Sequence, residues 1–292
     1  MEYVNIEGMN LSRFVLGTDG YGERISPESA FDIMNVYVSF GGNVLDTARS
    51  YCGGKSEELV GSFSEKMRDR LIISTKCAFP EGGDISKSRL DSDSIETDID
   101  MSLKALKTEY IDIIWLHRDD INLPVEPIID TLNSIMKKGK IRFFGASNWS
   151  FNRIAEANRY AKESGQSGFF ASQALYNLAV RSYVWDDTLV CVEGKEKEYY
   201  EKNKFPLFAF SSQAKGFFEK YDEGKLSEKA KDRYLNEKTT KIFNRVKAEA
   251  VKNGDTISHT ALKMLVRESS FEVLPIIGPS NVLQLKSSLG VK

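Results

Sequence analysis

The chain has 292 residues, 41% hydrophobic and 28% charged, with a formal net charge of −2. Such a length suits a single α/β barrel and forces no division into two domains, and the charge balance lacks the basic surplus expected of a nucleic-acid or acidic-membrane binder. Cys52, Cys77 and Cys191 form no CxxC pair or metal spacing, and no window approaches the ~18 apolar residues of a membrane span. The expectation is a soluble, cytoplasmic protein, monomeric or weakly self-associating, with no nucleic-acid or membrane partner.

Residues 3–6 and 11–15 flank a Gly-containing turn and predict a small hairpin. The first barrel-type strand follows at Leu16, Gly17 and Thr18. Ser26 with Pro27 opens a helix running to about residue 40, which Gly41-Gly42 stops. Val44-Leu45 predicts a strand ending at Asp46, with Tyr51 five positions on. Ser56 is expected to cap a helix reaching about residue 67. Alternation then becomes regular. Strands are predicted at 71–76, 111–117, 141–146, 169–174, 206–210 and 271–277. Helices are predicted at 93–107, 124–138, 150–164, 242–252, 256–267 and 280–289. Residues 181–203 read as polar and partly helical, and 215–241 as an irregular charged excursion.

Counting from Leu16 gives eight strands, nearly all followed by helices. They are continuous Val/Ile/Leu/Phe runs, as strands covered on both faces are. No G-x-G-x-x-G follows the first of them, which weakens a Rossmann fold. The predicted architecture is α/β, a single-domain (β/α)8 TIM barrel over 1–292 with an N-terminal β-hairpin.

Function in such a barrel sits where the strands end. Those ends carry Asp46, Lys76, His117, Ser147-Asn148, Gln173, Phe210-Ser211 and Ile277-Gly278. Singly, each has an ordinary reading. Asp46 reads as a loop acid, Lys76 as a surface charge, Tyr51 as packing, and His117 equally as a structural or a catalytic group. Four such groups on three consecutive strand ends are harder to dismiss. A Lys cation held by Asp46 would stabilise a tyrosinate and lower a pKa that starts near ~10. A Tyr so tuned can donate a proton to a developing alkoxide, with His117 orienting the carbonyl. None of these groups supplies hydride, so an external reductant such as a nicotinamide is implied. His259 falls inside a helix pattern and reads as structural. Gly53-Gly54-Lys55-Ser56 looks like the end of a phosphate loop, but Arg49 stands where that motif needs Gly.

The run Gly42-Asn43-Val44-Leu45-Asp46-Thr47-Ala48-Arg49-Ser50-Tyr51 resembles the aldo-keto reductases. So do Lys55 to Gly61, Ser74-Thr75-Lys76, and Tyr110-Ile111-Asp112 with Leu116-His117. The likeness continues through Gly139 to Arg142, Gly145 to Asn148, Gln173 with Tyr176-Asn177, and Ile276-Ile277-Gly278. These motifs follow family order across nearly the whole chain. The resemblance implies a catalytic tetrad of Asp46, Tyr51, Lys76 and His117, with Tyr51 as general acid. It implies that Ser147, Asn148 and Gln173 bind the nicotinamide carboxamide and that Phe210 stacks on its ring. Gly17, Thr18 and Asp46 would contribute from the early strands. Ser211, Ser212, Gln213, Lys215 and Gly216, with Gly278, Ser280, Gln284 and Ser288, would hold the pyrophosphate and adenosine end.

The chain departs from the family pattern at Cys52, where Gly is common, and at Ser212-Gln213, where Pro-Leu is common. It departs also at Ser280, where a cation often grips a 2′-phosphate, and at Ser287-Ser288, where Glu-Asn is frequent. Lys215 or Lys286 is expected to supply the missing charge. NADP (NADPH) is the expected cofactor and NAD the alternative.

Tyr21, Arg118 and Trp149 are expected to contact the substrate, with Asp119 and Asp120 beside them. The segment 180–193, bearing Tyr183 and Trp185, is expected to fold over the top. Such a pocket suits a polar, sugar-like small-molecule carbonyl compound. A nicotinamide-binding regulatory subunit is the alternative reading. A barrel hydrolase lacks the His and carboxylate spacing it would need.

Overall fold

The computed structural model describes residues 1–291. Strands β1 (Tyr3–Ile6) and β2 (Met9–Ser12) form an antiparallel hairpin, with Tyr3 opposite Ser12. Eight further strands close into a barrel: β3 (Val15–Gly17), β4 (Val44–Asp46), β5 (Ile72–Cys77), β6 (Ile111–Leu116), β7 (Ile141–Ser147), β8 (Ser172–Leu175), β9 (Leu207–Phe210) and β10 (Val273–Ile277). Every neighbouring pair is parallel, and β10 closes the ring against β3.

Eleven helices lie among the described residues: α1 (Pro27–Ser39), α2 (Lys55–Ser64), α3 (Ser92–Leu106), α4 (Val125–Lys137), α5 (Phe151–Glu163), α6 (Gly194–Asn203), α7 (Phe217–Asp222), α8 (Glu228–Tyr234), α9 (Glu237–Asn253), α10 (Ile257–Arg267) and α11 (Val282–Ser288). Several start where side-chain chemistry dictates. Ser26, Asp91, Ser150, Asn236, Thr256 and Asn281 each accept from a backbone N–H in the first turn of the helix they precede, a contribution of about 1 kcal/mol apiece.

Strand parity organises the interior. Ile113 and Trp115 of β6 pack with Val15, Val44, Ala171, Phe208 and Leu274 inside the barrel. Ile114 and Leu116, one residue out of phase, join the layer beneath the helices. Ile6 and Leu11 of the hairpin join the interior cluster. A Cβ on Gly145 would lie 2.3 Å from the Trp115 ring, so only glycine leaves room for this indole.

The structure corrects three expectations. The segment 215–241 is not irregular: it holds α7, α8 and the start of α9, with Phe217, Phe218 and Tyr234 buried. The strand expected at 169–174 is shorter: β8 starts at Ser172 rather than at 169. Ser56 is no helix cap. It lies inside α2, fully buried, and its Oγ donates to the Thr18 carbonyl at 2.8 Å. The same oxygen lies 2.8 Å from both Thr18 Oγ1 and Thr47 Oγ1, which joins β3 and β4 to α2.

Candidate active site

The parity that puts Val44, Trp115 and Ala171 inside the barrel also directs Asp46, His117 and Gln173 inward, one step nearer the carboxyl ends. Ser74 and Lys76 face the same way on β5. Trp115 Nε1 donates to Ser74 Oγ at 2.7 Å, and Ser74 Oγ donates to Asp46 Oδ1 at 2.8 Å. The polar site is thus the top layer of the apolar plug.

Asp46 is 2% exposed. It accepts from Lys76 Nζ at 2.6 Å, and from Gln173 Nε2 at 2.9 Å on its other oxygen. Lys76 Nζ also donates to the Thr47 carbonyl at 2.8 Å. This ammonium lies 4.7 Å from the centroid of the Tyr51 ring. The Tyr51 and His117 rings meet edge to face, 5.9 Å between centroids, and Phe79 lies 4.8 Å from His117 on another side.

Tyr51 stands on a tight turn. Cys52 and Gly53 follow with φ of 51° and 62°, and Gly54 with φ of 95°. A Cβ on Gly54 would sit 1.4 Å from an Arg49 nitrogen. Arg49 reaches past it to Glu57 Oε2 at 2.5 Å, and Thr75 Oγ1 donates to Glu57 Oε1 at 2.7 Å. The left-handed conformation of Cys52 accounts for the glycine common at that place.

The electrostatics follow from burial. Burial acts against the Lys76 cation, but Asp46 and Tyr51 outweigh it and its pKa lies above the ordinary lysine value. Burial also raises Tyr51, with Lys76 only partly opposing, so the net shift is upward rather than the lowering expected from the Lys–Tyr pairing alone. His117 is drawn well below 6.5 by burial and by the nearby Lys76 and Arg118 cations, which keeps its imidazole neutral.

A cleft of about 1390 Å³ opens over this cluster. Gly17, Thr18, Asp46, Tyr51, Lys76, His117, Ser147, Asn148 and Gln173 line its floor, and Phe210 to Gln213, Lys215, Gly216, Gly278, Ser280, Gln284 and Ser288 extend it along one side. The residues fit a nicotinamide. Asn148 Oδ1 is buried with no partner among the described residues, an acceptor suited to a carboxamide N–H. Gln173 spends its N–H on Asp46 and leaves Oε1 for the same group. The loop over 211–216 runs through left-handed backbone at Ser211, Ala214, Lys215 and Gly216, and Ser212 Oγ ties it to the Ile276 carbonyl at 2.7 Å. Gln213 Nε2 donates to Ser288 Oγ at 3.0 Å, and Gln284 Oε1 accepts from the Ser280 N–H at 2.8 Å.

Residues 13–292 match the model of the aldo/keto reductase family. The chain belongs to that family. Among curated relatives it is 32% identical over 185 residues to norsolorinic acid reductase B of Dothistroma septosporum, covering 59% of this chain and 45% of that protein. It is 31% identical over 181 residues to aryl-alcohol dehydrogenase GME11368 of Pestalotiopsis microspora, covering 60% and 47%. The chain thus spans about half the length of the curated relatives it matches. The fold is also that of the thermostable aldo-keto reductase Tm1743, solved with the inhibitor epalrestat. The TM-score is 0.73 at 23% identity, over 99% of this chain and 93% of that one.

Within this aldo/keto reductase barrel, two of the three expected substrate residues lie elsewhere. Tyr21 is fully buried and does not line the cleft. Trp149 is 1% exposed, and its Nε1 donates to the Arg118 carbonyl at 3.1 Å. Arg118 does line the cleft. Asp119 is held by Arg153 at 3.2 Å, outside the cleft lining, and Lys286 is likewise absent from it. Trp185 lines the cleft as expected of segment 180–193, together with Asp186 and Leu189. Phe79, Leu175 and Arg233 line it too and carry no periodic signal that sequence reading could use. No group of His, Cys, Asp and Glu suited to a metal ion occurs among the described residues. No described helix is long and apolar enough to cross a membrane.

Proposed function

We propose that this chain reduces an aldehyde or ketone to the alcohol with NAD(P)H as reductant, NADPH being favoured, and that its substrate is a polar, sugar-like carbonyl compound. The observation that carries the reading is the cluster in which Lys76 Nζ lies 2.6 Å from Asp46 and 4.7 Å from the Tyr51 ring, beside a neutral His117. A bound nicotinamide would supply a hydride to the carbonyl carbon. Asn148, Gln173 and Phe210 would hold it, and the 211–216 loop with Ser280 and Gln284 would hold its phosphates and adenosine.

The chain's own residues then manage one proton. Tyr51 is raised in pKa and stays protonated at neutral pH, as a proton donor must. It gives that proton to the carbonyl oxygen as negative charge gathers there. The Lys76 cation stabilises the phenolate left behind, and Asp46 fixes Lys76 in place. Neutral His117 offers a hydrogen bond to the same oxygen. Phe79 and Trp185 form apolar walls, while Arg118 and Asp186 give the pocket its polar side.

The test compares wild type with Tyr51→Phe by following nicotinamide oxidation with small aldehydes. Removing the general acid is expected to lower kcat by about 10²–10⁴-fold. Equal turnover by both proteins would remove Tyr51 from the proton-donor role. Cofactor binding by the wild type without turnover of any carbonyl compound would point to the binding-subunit reading instead.

A further inference from the structure

The cations at the reacting end of the cleft differ in whether they are matched. Lys76 has Asp46 at 2.6 Å, and Arg24 has Asp19 at 2.9 Å. Arg118 has no carboxylate within ion-pair distance among the described residues. One nitrogen, Nη1, donates to the His117 carbonyl at 2.8 Å, and the guanidinium lies 5.6 Å from the Phe79 ring. The other N–H groups meet no described protein acceptor, although the residue is only partly exposed. Asp186 is the acid whose charge acts on Arg118, but its Oδ1 is already occupied by Thr188 N at 3.0 Å and Thr188 Oγ1 at 2.6 Å. Beyond Trp185, Arg233 lies 4.5 Å from the indole and also lacks a carboxylate partner among the described residues.

Arg118 is also held in place. Trp149 Nε1 grips its carbonyl at 3.1 Å, and Arg153 binds Asp119 and the Leu123 carbonyl, so the loop after β6 is pinned from below. A partly desolvated guanidinium kept unmatched beside the reacting groups is a ready counter-ion for an anion. Its planar fork suits a carboxylate.

Resting on the reductase reading, we propose that Arg118 anchors a carboxylate of the substrate, so that the compound reduced is an aldehyde or keto acid, of semialdehyde or uronate type, rather than a neutral carbonyl compound. The carboxylate would sit on the free edge of Arg118 while the carbonyl lies between Tyr51 and His117.

Two measurements test this. The first is the ratio of kcat/KM for acid over neutral partner, in the pairs succinic semialdehyde with butanal and D-glucuronate with D-glucose, for wild type, Arg118→Met and Arg118→Lys. Wild type is expected to favour the acids by about tenfold or more, Arg118→Met to lose that preference, and Arg118→Lys to keep part of it. A role of Arg118 in merely shaping the loop would lower both members of each pair alike and leave the ratio unchanged, which overturns the proposal. The second is equilibrium binding of succinate, read by tryptophan fluorescence, since Trp185 lines the pocket. At least tenfold weaker binding in Arg118→Met supports the proposal, and equal binding, or none in wild type, overturns it. Inorganic phosphate binding more tightly than succinate would also overturn it, in favour of a phosphorylated substrate. Because succinate binding needs no turnover, the two readings fail separately. Reduction of neutral aldehydes without succinate binding sinks the carboxylate anchor alone, whereas Arg118-dependent succinate binding without any turnover sinks the reductase alone.

Discussion

Lys76 and His117 show how one buried site imposes opposite protonation preferences on two basic side chains. Lys76 is taken out of water but meets Asp46 at 2.6 Å and stays a cation. His117 is taken out of water with Lys76 and Arg118 for neighbours, finds no carboxylate, and stays neutral. Its Nδ1 has only Ser50 Oγ, at 3.4 Å. The consequence for stability has a definite sign. In the unfolded chain the imidazole takes up a proton near the ordinary value of about 6.5, whereas the folded protein resists protonation until well below that. The unfolded state therefore binds more protons just below pH 6.5. Stability is fully retained above that pH and falls as the pH drops, by up to about 1.4 kcal/mol per pH unit from this one group. Urea unfolding of wild type and His117→Gln at several pH values between about 7.5 and 5 should show the variant losing stability less steeply on the acid side. Parallel slopes would mean that His117 is not held neutral by its surroundings.

Helix α2 illustrates why some of the motif residues are architectural. Ser56 and Glu57 belong to the run that resembles the aldo-keto reductases, yet neither lines the cleft. Ser56 joins α2 to the ends of β3 and β4, and Glu57 anchors Arg49 and Thr75 around the Tyr51 turn. Ser56→Ala leaves the buried Thr47 hydroxyl without its partner and should cost about 1–3 kcal/mol in chemical denaturation. A loss below a few tenths would show that the contact is replaceable. Asp112 on β6 is similar, an acid bound by Arg68 at 2.7 Å and Arg142 at 3.1 Å and absent from the cleft lining. The strands and capped helices were legible because continuous apolar runs and Ser, Asp or Thr before a helix are local signals. Helices α7 and α8 were not, because both are short and charged residues make up half or more of each. The spacing of Phe217, Phe218 and Tyr221 was the signal available. Asp46, Lys76 and His117 were legible as polar residues at the ends of apolar strands, and Tyr51 as the phenol on the loop just beyond one of them. Tyr21 and Trp149 were misplaced because a loop aromatic can turn inward as readily as outward, and sequence carries no record of which. Phe79, Asp186 and Arg233 come together only because two loops and α8, far apart in the chain, fold to one end of the barrel.

At the scale of the whole molecule, the barrel brings residues from every part of the chain to one open end. A cofactor lying along the cleft would touch β3 and β4, the ends of β7, β8 and β9, and the segment after β10 at once. Binding there should therefore stabilise the whole barrel cooperatively. With cofactor at about one hundred times its Kd, mass action adds about 2.7 kcal/mol, which for a domain of this size raises Tm on the order of 5 °C. The preference between the two nicotinamides is read in the same experiment. Lys215, Lys220 and Lys225 line the same cleft as Ser280, and Lys225 is matched to Glu223 at 3.0 Å. Glu219, another acid lining the cleft, accepts from Ser258 and from Ser287 at 2.9 Å. Unmatched lysines facing a 2′-phosphate favour NADPH. At equal concentrations below saturation, NADPH is expected to raise Tm more than NADH, and Lys215→Ala to narrow the difference. Equal shifts from the two cofactors would remove the proposed NADPH preference while leaving the nicotinamide site standing. No shift from either would remove both.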